Sequence, residues 1–281
     1  LAGGDRIKKK QSNKALSMLS KRHTEIMRIL ADEGTVTISG LAARLGVSLE
    51  TVRRDVRPLT ENGSVLKIHG AVGLAGQVGE APFQRRMREN AEAKRRIARE
   101  MAQLIHDGDS VMLDTGTTTS FVARELLGHR RLTVVTNSSD IARTLATVNG
   151  NKVYMAGGEL RSDSGAAFGV SAIEFIAKFS VTHAIISAGA IDAGAGVMDF
   201  DLEEAEFARM MLSRGAQSYV VTDHTKFGRR GLVQVAEFEA IGHVVTDEAV
   251  SPEIAAMLEE AGTRLIIGGA AAAADEPETG E

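Results

Sequence analysis

The stretch Gly46-Val47-Ser48-Leu49-Glu50-Thr51-Val52-Arg53-Arg54-Asp55-Val56 decides how the first third of this chain folds. A glycine allows a tight break, Ser48 follows it, and a helical pattern then runs from about Leu49 to Asn62 and ends at Gly63. Val52, Val56 and Leu59 face the core, while Arg53, Arg54 and Arg57 are carried by the same helix. Pro58 falls inside this helix, removes one backbone donor and is expected to kink it beyond Arg54, leaving the N-terminal half intact. Upstream, a helix is expected from about Lys21, with Ile26, Ile29 and Leu30 on one face, stopping at Gly34. A second short helix capped by Ser39 carries Leu41, Ala42 and Leu45. Downstream, Val65-Leu66-Lys67-Ile68 reads as a hairpin strand closed by Gly70. Three short helices and a hairpin within residues 20–75 make a winged helix-turn-helix.

In that motif the second helix of the pair enters the major groove with its N-terminal residues against base edges. The candidates are Ser48, Glu50, Thr51, Arg53, Arg54 and Arg57, with Lys67 and His69 placed where a wing meets the DNA backbone or minor groove. Arginine bonds guanine bidentately, and Ser and Thr take phosphates or thymine methyls. The overall charge argues the other way: 33 Lys and Arg against 37 Asp and Glu give −4. Residues 1–79, however, hold 13 basic and 7 acidic side chains, and the remainder 20 and 30. The total therefore conceals a +6 segment joined to a −10 segment, and phosphate binding depends on local charge. Five of the thirteen cations, Arg6, Lys8, Lys9, Lys10 and Lys14, belong to a basic leader over 1–19 that reads as flexible.

Composition excludes several classes. With no Cys, disulfide scaffolds, thiol catalysis and Cys-based zinc sites are out. The seven histidines show no ligand spacing, so no metal is expected. No apolar run approaches the ~18 residues of a membrane span, and the first residues lack the apolar core of a signal peptide, so the expected location is cytoplasmic, with no membrane partner.

Gly73, Gly76 and Gly79 read as a linker. Residues 83–105 read as one long polar helix carrying Arg85, Arg86, Arg88, Lys94, Arg95, Arg96 and Arg99. Residues 76–106 are thus expected to be linker and connecting helix, a solvated or domain-bridging element placed to transmit changes between two modules. From 107 to 269, short apolar runs alternate with helices. The strands are expected at Ser110–Leu113, Leu132–Val135, Lys152–Met155, Thr182–Ser187, Gln217–Val221, Val233–Val235, Gly242–Val245 and Arg264–Ile267. Helices are expected near 119–127, 138–147, 170–179, 201–213 and 252–261. This alternation predicts an α/β domain with a mainly parallel sheet covered on both faces, and ligands bind such sheets beyond the carboxyl ends of their strands. Residues 270–281 read as a disordered acidic tail.

Polar loops follow successive strands. Asp114-Thr115-Gly116-Thr117-Thr118 opens a helix, where backbone N–H groups and hydroxyls suit an anion or simply cap the helix. Asp114 itself suits ligand hydroxyls, or fixes the loop through its backbone. Thr136-Asn137-Ser138 and Gly157-Gly158-Glu159-Leu160-Arg161 repeat the arrangement, with Arg161 able to grip a phosphate. Lys226 in Asp223-His224-Thr225-Lys226-Phe227 offers a point charge. Asp199 and Asp201 can bond ligand hydroxyls or cap the helix that starts near Leu202. Together these loops suit a small phosphorylated polyol or sugar.

The run Gly46–Val56, followed by Gly63 and Lys67-Ile68-His69-Gly70-Ala71, resembles the signature of DeoR-family bacterial repressors. The family usually has Leu or Glu at Pro58, Arg at Lys67 and often a second Gly at Ala71. The resemblance spans roughly residues 20–268, since the Asp114–Thr118 loop, Thr136-Asn137, Gly157-Gly158, Arg161 and Asp223–Phe227 are similar to that family's effector-domain motifs. It implies a sensor domain similar in fold to ribose-5-phosphate isomerase, binding of double-stranded operator DNA as a dimer or tetramer, and release when a sugar phosphate binds. The segments Gly157–Ser162 and Asp199-Phe200-Asp201 are similar to the branch controlling glycerol 3-phosphate regulons, which makes glycerol 3-phosphate the expected effector. Similar Phe-Asp segments occur in regulators of sulfosugar catabolism. The alternative is a sugar-phosphate isomerase with Asp114 or Asp201 as base and Lys226 as electrostatic helper, which leaves the basic segment without a role. A scaffold role explains neither set of loops.

Overall fold

A computed structural model describes residues 21–33, 35–68, 71–74 and 79–269. The expected leader at 1–19, the expected tail at 270–281, and Gly34, His69, Gly70 and Gly76 lie outside those residues. The chain divides into two compact units, Leu1–Pro82 and Phe83–Glu281.

In the first unit, helix α1 (21–33) is followed by strand β1 (Thr35–Thr37), helix α2 (Ile38–Leu45) and helix α3 (Leu49–Glu61). Strands β2 (Val65–Ile68) and β3 (Ala71–Leu74) complete an antiparallel sheet of order β1-β3-β2. Gly73 is therefore paired in β3 and is not linker. The cap of α2 is Thr37, whose Oγ1 accepts from Gly40 N at 3.0 Å; Ser39, expected in that role, is already inside the helix. Gly46 turns at φ 63°, and Ser48 Oγ accepts from Thr51 N to start α3. The α3 helix runs unbroken through Pro58. Pro58 withholds one donor from the Arg54 carbonyl, and it does so in the last turn of the helix on its exposed side. Ile26, Leu30, Leu41, Val52, Val56, Val65 and Val72 form the core.

The second unit opens with α4 (Phe83–Arg86) and α5 (Ala91–Gln103). The single helix expected over 83–105 is broken, because Asn90 adopts the left-handed conformation at φ 50°. Lys94 explains the corner: buried, it donates from Nζ to the carbonyls of Arg86 at 2.5 Å and Glu89 at 2.7 Å. Those are carbonyls that a continuing helix would have occupied.

The main sheet is built from β4 (Ser110–Leu113), β5 (Thr133–Thr136), β6 (Lys152–Met155), β7 (Val181–Ser187), β10 (Gly215–Val221), β12 (His243–Thr246) and β13 (Arg264–Ile267). All pairings are parallel and the order is β13-β12-β10-β7-β4-β5-β6. Alternate residues supply opposite cores. Met112, Val135, Ile186, Val220 and Val244 pack against α8 (Val170–Ile176), α9 (Leu202–Leu212) and α10 (Pro252–Glu260). Val111, Leu113, Val134, Ile185 and Val245 pack against α5, α6 (Thr117–Glu125) and α7 (Ser139–Leu145). The expected Val233–Val235 strand exists as β11 (Val233–Ala236) but leaves the main sheet; it pairs antiparallel with β9 (Gly196–Asp199), which pairs with β8 (Ala190–Asp192). Neither β8 nor β9 is an expected strand, since Gly-rich segments of three or four residues carry little periodicity. Among the described residues no helix is long and apolar enough to cross a membrane.

Candidate functional site

In the first unit the exposed face of α3 and the wing strand meet in a groove of about 590 Å³. Glu50, Arg53, Arg54, Arg57 and Lys67 line it with polar groups, and Ile38, Val56, Ala71 and Val72 form its floor. Two of the guanidinium groups are loosely held, Arg53 at 3.7 Å from Glu50 and Arg54 at 3.9 Å from Asp55, whereas Arg57 donates to Glu61, one turn on, at 2.7 Å. Ser48 and Thr51 share a hydroxyl–hydroxyl contact of 2.9 Å at the start of the helix, so Ser48 acts first as a cap. His69 lies outside the described residues.

In the second unit, β4 is the strand on either side of which the sheet grows, and β7 is its neighbour across the switch. Two polar loops meet at their carboxyl ends. Asp114 Oδ2 accepts from Ser187 N at 2.8 Å and Ser187 Oγ at 3.1 Å. Burial pushes the Asp114 carboxyl up to about 7, and the nearby charge of Asp199 pushes in the same direction. Gly116 is required here: a Cβ would lie 2.0 Å from Ser187 Oγ. Thr119 Oγ1 closes the turn on the carbonyls of Asp114 and Gly116 at 3.0 Å. Thr117 and Thr118 are buried in the first turn of α6, whose cap, Gly116, has no side chain to satisfy the leading N–H groups. Among the described residues, Asp114 Oδ1, Ser120 Oγ and Thr222 Oγ1 are buried without a hydrogen-bond partner, all at this edge of the sheet.

Thr115 Oγ1 donates to Asn137 Oδ1 at 2.9 Å, and Asn137 Nδ2 donates to the Ala167 carbonyl at 3.0 Å. Thr136 Oγ1 accepts from Ser138 N, and Ser138 Oγ caps α7. This triplet is wholly buried and serves the loop framework. Gly157 and Gly158 are exposed, with Gly158 at φ 148°.

Arg161 forms a second cluster. Its guanidinium donates to Glu204 Oε1 at 2.9 Å, Asp201 Oδ1 at 2.9 Å and Glu203 Oε2 at 2.6 Å, and it lies 4.2 Å from the Phe168 ring centroid. Asp201 also caps α9, accepting from Glu203 N and Glu204 N. Asp199 Oδ1 accepts from the N–H groups of Phe200 and Asp201. Both aspartates are thus committed to the backbone leading into α9.

Lys226 sits half-buried in a 3-10 turn capped by Asp223. Two residues earlier, His224 belongs to a cluster not anticipated from sequence. His224 Nδ1 and Arg96 Nη2 both contact Asp247 Oδ2, at 2.9 and 3.0 Å, with Glu248 close by. His224, Asp247 and Glu248 hold their ligand atoms within 4.8 Å of one another, but the Arg96 guanidinium already supplies the positive charge there. The hydrogen bond to Asp247 holds the His224 imidazole above its ordinary pKa. Burial pushes the Asp247 carboxyl upward, and hydrogen bonds from His224 outweigh it, leaving the pKa below the ordinary range. Ser187, Arg96 and Asp247 escaped sequence reasoning because each stands alone in its stretch of chain, and only the sheet order assembles them.

Residues 22–78 match the DeoR-like helix-turn-helix domain, and residues 89–248 match the DeoR C-terminal sensor domain. The chain is 33% identical over 246 residues to the HTH-type transcriptional repressor CsqR of Escherichia coli, covering 88% of this chain and 94% of that protein. It is also 33% identical over 228 residues to the glycerol-3-phosphate regulon repressor of Escherichia coli, covering 81% and 90%. Among solved structures, ribose 5-phosphate isomerase A from Methanocaldococcus jannaschii is similar with a TM-score of 0.37 and 15% identity, covering 50% of this chain and 55% of that one. With its DNA-binding head and its α/β sensor domain in that order, the chain belongs to the DeoR family of transcriptional regulators.

Proposed function

We propose that this protein represses a carbohydrate or polyol catabolic operon and is released from its operator by a phosphorylated metabolite, glycerol 3-phosphate being the first candidate. The observation that carries the sensing half is the turn at Asp114–Thr118. A helix N-terminus capped by a bare glycine stands beside the buried, unpartnered Asp114 Oδ1 and Ser120 Oγ. The N–H groups suit a phosphate, and the carboxyl and hydroxyl suit a polyol. Lys226 supplies the point charge in this reading, and the names of the relatives favour sugar and polyol control. The head binds DNA as a dimer or tetramer, so its operator carries repeated half-sites. Induction requires the ligand to bind the DNA-incompetent arrangement more tightly, because equal affinity for both shifts nothing.

The isomerase reading retains Asp114 as its candidate base and loses Asp201. Asp201 is held by Arg161 and by two backbone N–H groups, which leaves it a poor general base. Thermal-shift measurements separate the readings. Glycerol 3-phosphate should raise the melting temperature in proportion to ln(1 + [L]/Kd), and glycerol should not. Stabilisation by neither, together with pentose-phosphate isomerisation, would overturn the proposal.

A further inference from the structure

The α4–α5 corner is the first part of the sensor unit reached from the head along the chain, and it is bonded to the loop that carries Lys226. Asn90, at the apex of the corner, donates from Nδ2 to Asp223 Oδ1 at 3.2 Å and to Thr225 Oγ1 at 3.3 Å. Asp223 is buried, and the same Oδ1 accepts from Thr225 N at 3.0 Å and from the Thr225 hydroxyl. One oxygen therefore organises the 3-10 turn and anchors it to the corner. Two turns further along α5, Arg96 holds Asp247, which in turn binds both the backbone N–H and the ring of His224. The corner itself is fixed by Lys94 on the Arg86 and Glu89 carbonyls. Movement of residues 223–226 must either break the Asn90 bonds or carry the corner with it.

We infer that Asn90 is a positioning residue for the 223–227 loop and that, through it, occupation of that loop is passed to the α4–α5 corner. The second half of this statement rests on reading the loop as part of the effector site. Its backbone already accounts for the residue type only in part: the left-handed conformation at φ 50° favours Asn or Gly, but only Asn adds the donor. Asn90→Gly therefore removes the amide and keeps the turn.

Backbone amide exchange on the full chain tests the inference. Without ligand, Asn90→Gly should speed exchange by about fivefold at residues 223–227 as well as at 86–94, as loss of one net hydrogen bond implies, with α6 unchanged. A change confined to 86–94 overturns the positioning role. With glycerol 3-phosphate added, protection in the wild type should appear at 114–119 and 223–227 and extend to 86–94. In Asn90→Gly it should stay at the two loops. Equal protection at 86–94 in both proteins overturns the transmission. If glycerol 3-phosphate protects neither loop in the wild type, the effector assignment fails by itself, and the ligand-free comparison still decides the role of Asn90.

Discussion

The Arg22 guanidinium donates to both carboxylate oxygens of Asp55, at 2.7 and 3.4 Å, from the helix that packs across α3. Asp55 is wholly buried on the same face as Val52, Val56 and Leu59, so Arg22 is what allows a carboxylate into the core of the head. Arg22→Met leaves that charge buried with no hydrogen-bonded cation, only the Arg54 guanidinium at 3.9 Å, and should cost the head about 2–3 kcal/mol. Asp55→Asn keeps an acceptor and frees a guanidinium that is already partly solvated, and should cost less. Urea denaturation of the two variants checks the order; equal costs would show that the pair contributes only through packing.

Arg53 and Arg54 are exposed and engage their acidic neighbours at 3.7 and 3.9 Å, so turning them toward DNA sacrifices little. The double substitution to Ala should abolish discrimination between operator and random DNA, each arginine contributing about 1–3 kcal/mol. Lys67→Ala should instead weaken binding to all sequences and reduce the slope of log K against log salt by about 1. Fluorescence anisotropy over a salt series measures both; retained site preference in the double variant removes α3 as the reading helix.

Arg161 and Lys226 separate two models of anion capture. Arg161 is occupied by three carboxylates and an aromatic ring, so Arg161→Met should lower the melting temperature by loosening the start of α9. Lys226→Ala should reduce affinity for a phosphorylated ligand by more than tenfold, the order expected of a charge-assisted contact. Calorimetric titration with glycerol 3-phosphate decides it, and the opposite pattern would return Arg161 to the binding site.

Asp114 makes stability depend on pH. Its folded pKa, about 7, stands above the ordinary value of 3.8, so the folded state binds more protons than the unfolded between those values. Stability must then fall as pH rises through that window, and it is fully present only below it. Asp114→Asn keeps the acceptor for Ser187 and removes the titration. The melting temperature of the variant should gain on wild type between pH 5 and pH 8, as scanning calorimetry at both values would register.

Much of this was readable in the sequence, for identifiable reasons. The helices of the head follow from a 3.6-residue repeat that tertiary packing reinforces, and Ser48 and Gly46 mark their ends chemically. The central strands are continuous apolar runs, which leave few alternatives. What escaped depends on distant partners. Asn90 breaks a helix whose composition favours continuation, and Lys94, which stabilises the break, reads from sequence as one more surface cation. Arg161 looks available for phosphate because its three acidic partners lie 40 to 43 residues away. Thr136, Asn137 and Ser138 read from sequence as ligand groups, and in the fold their polar atoms also build the loop itself.

The position of β4 inside the sheet, between β5 and β7, also constrains synthesis. Its Val111, Met112 and Leu113 pair with β5 some twenty residues later in the chain, but their other edge waits for β7, about seventy residues on. A chain emerging from the ribosome therefore carries an apolar strand, already paired on one side and open on the other, for several seconds at ordinary elongation rates of ~5–20 residues per second. The edge is a template for strand addition during that interval. Ribosome-bound chains halted before Val181 should aggregate more readily than chains halted after Val221, in which β4 is paired on both sides and β7 has also found β10.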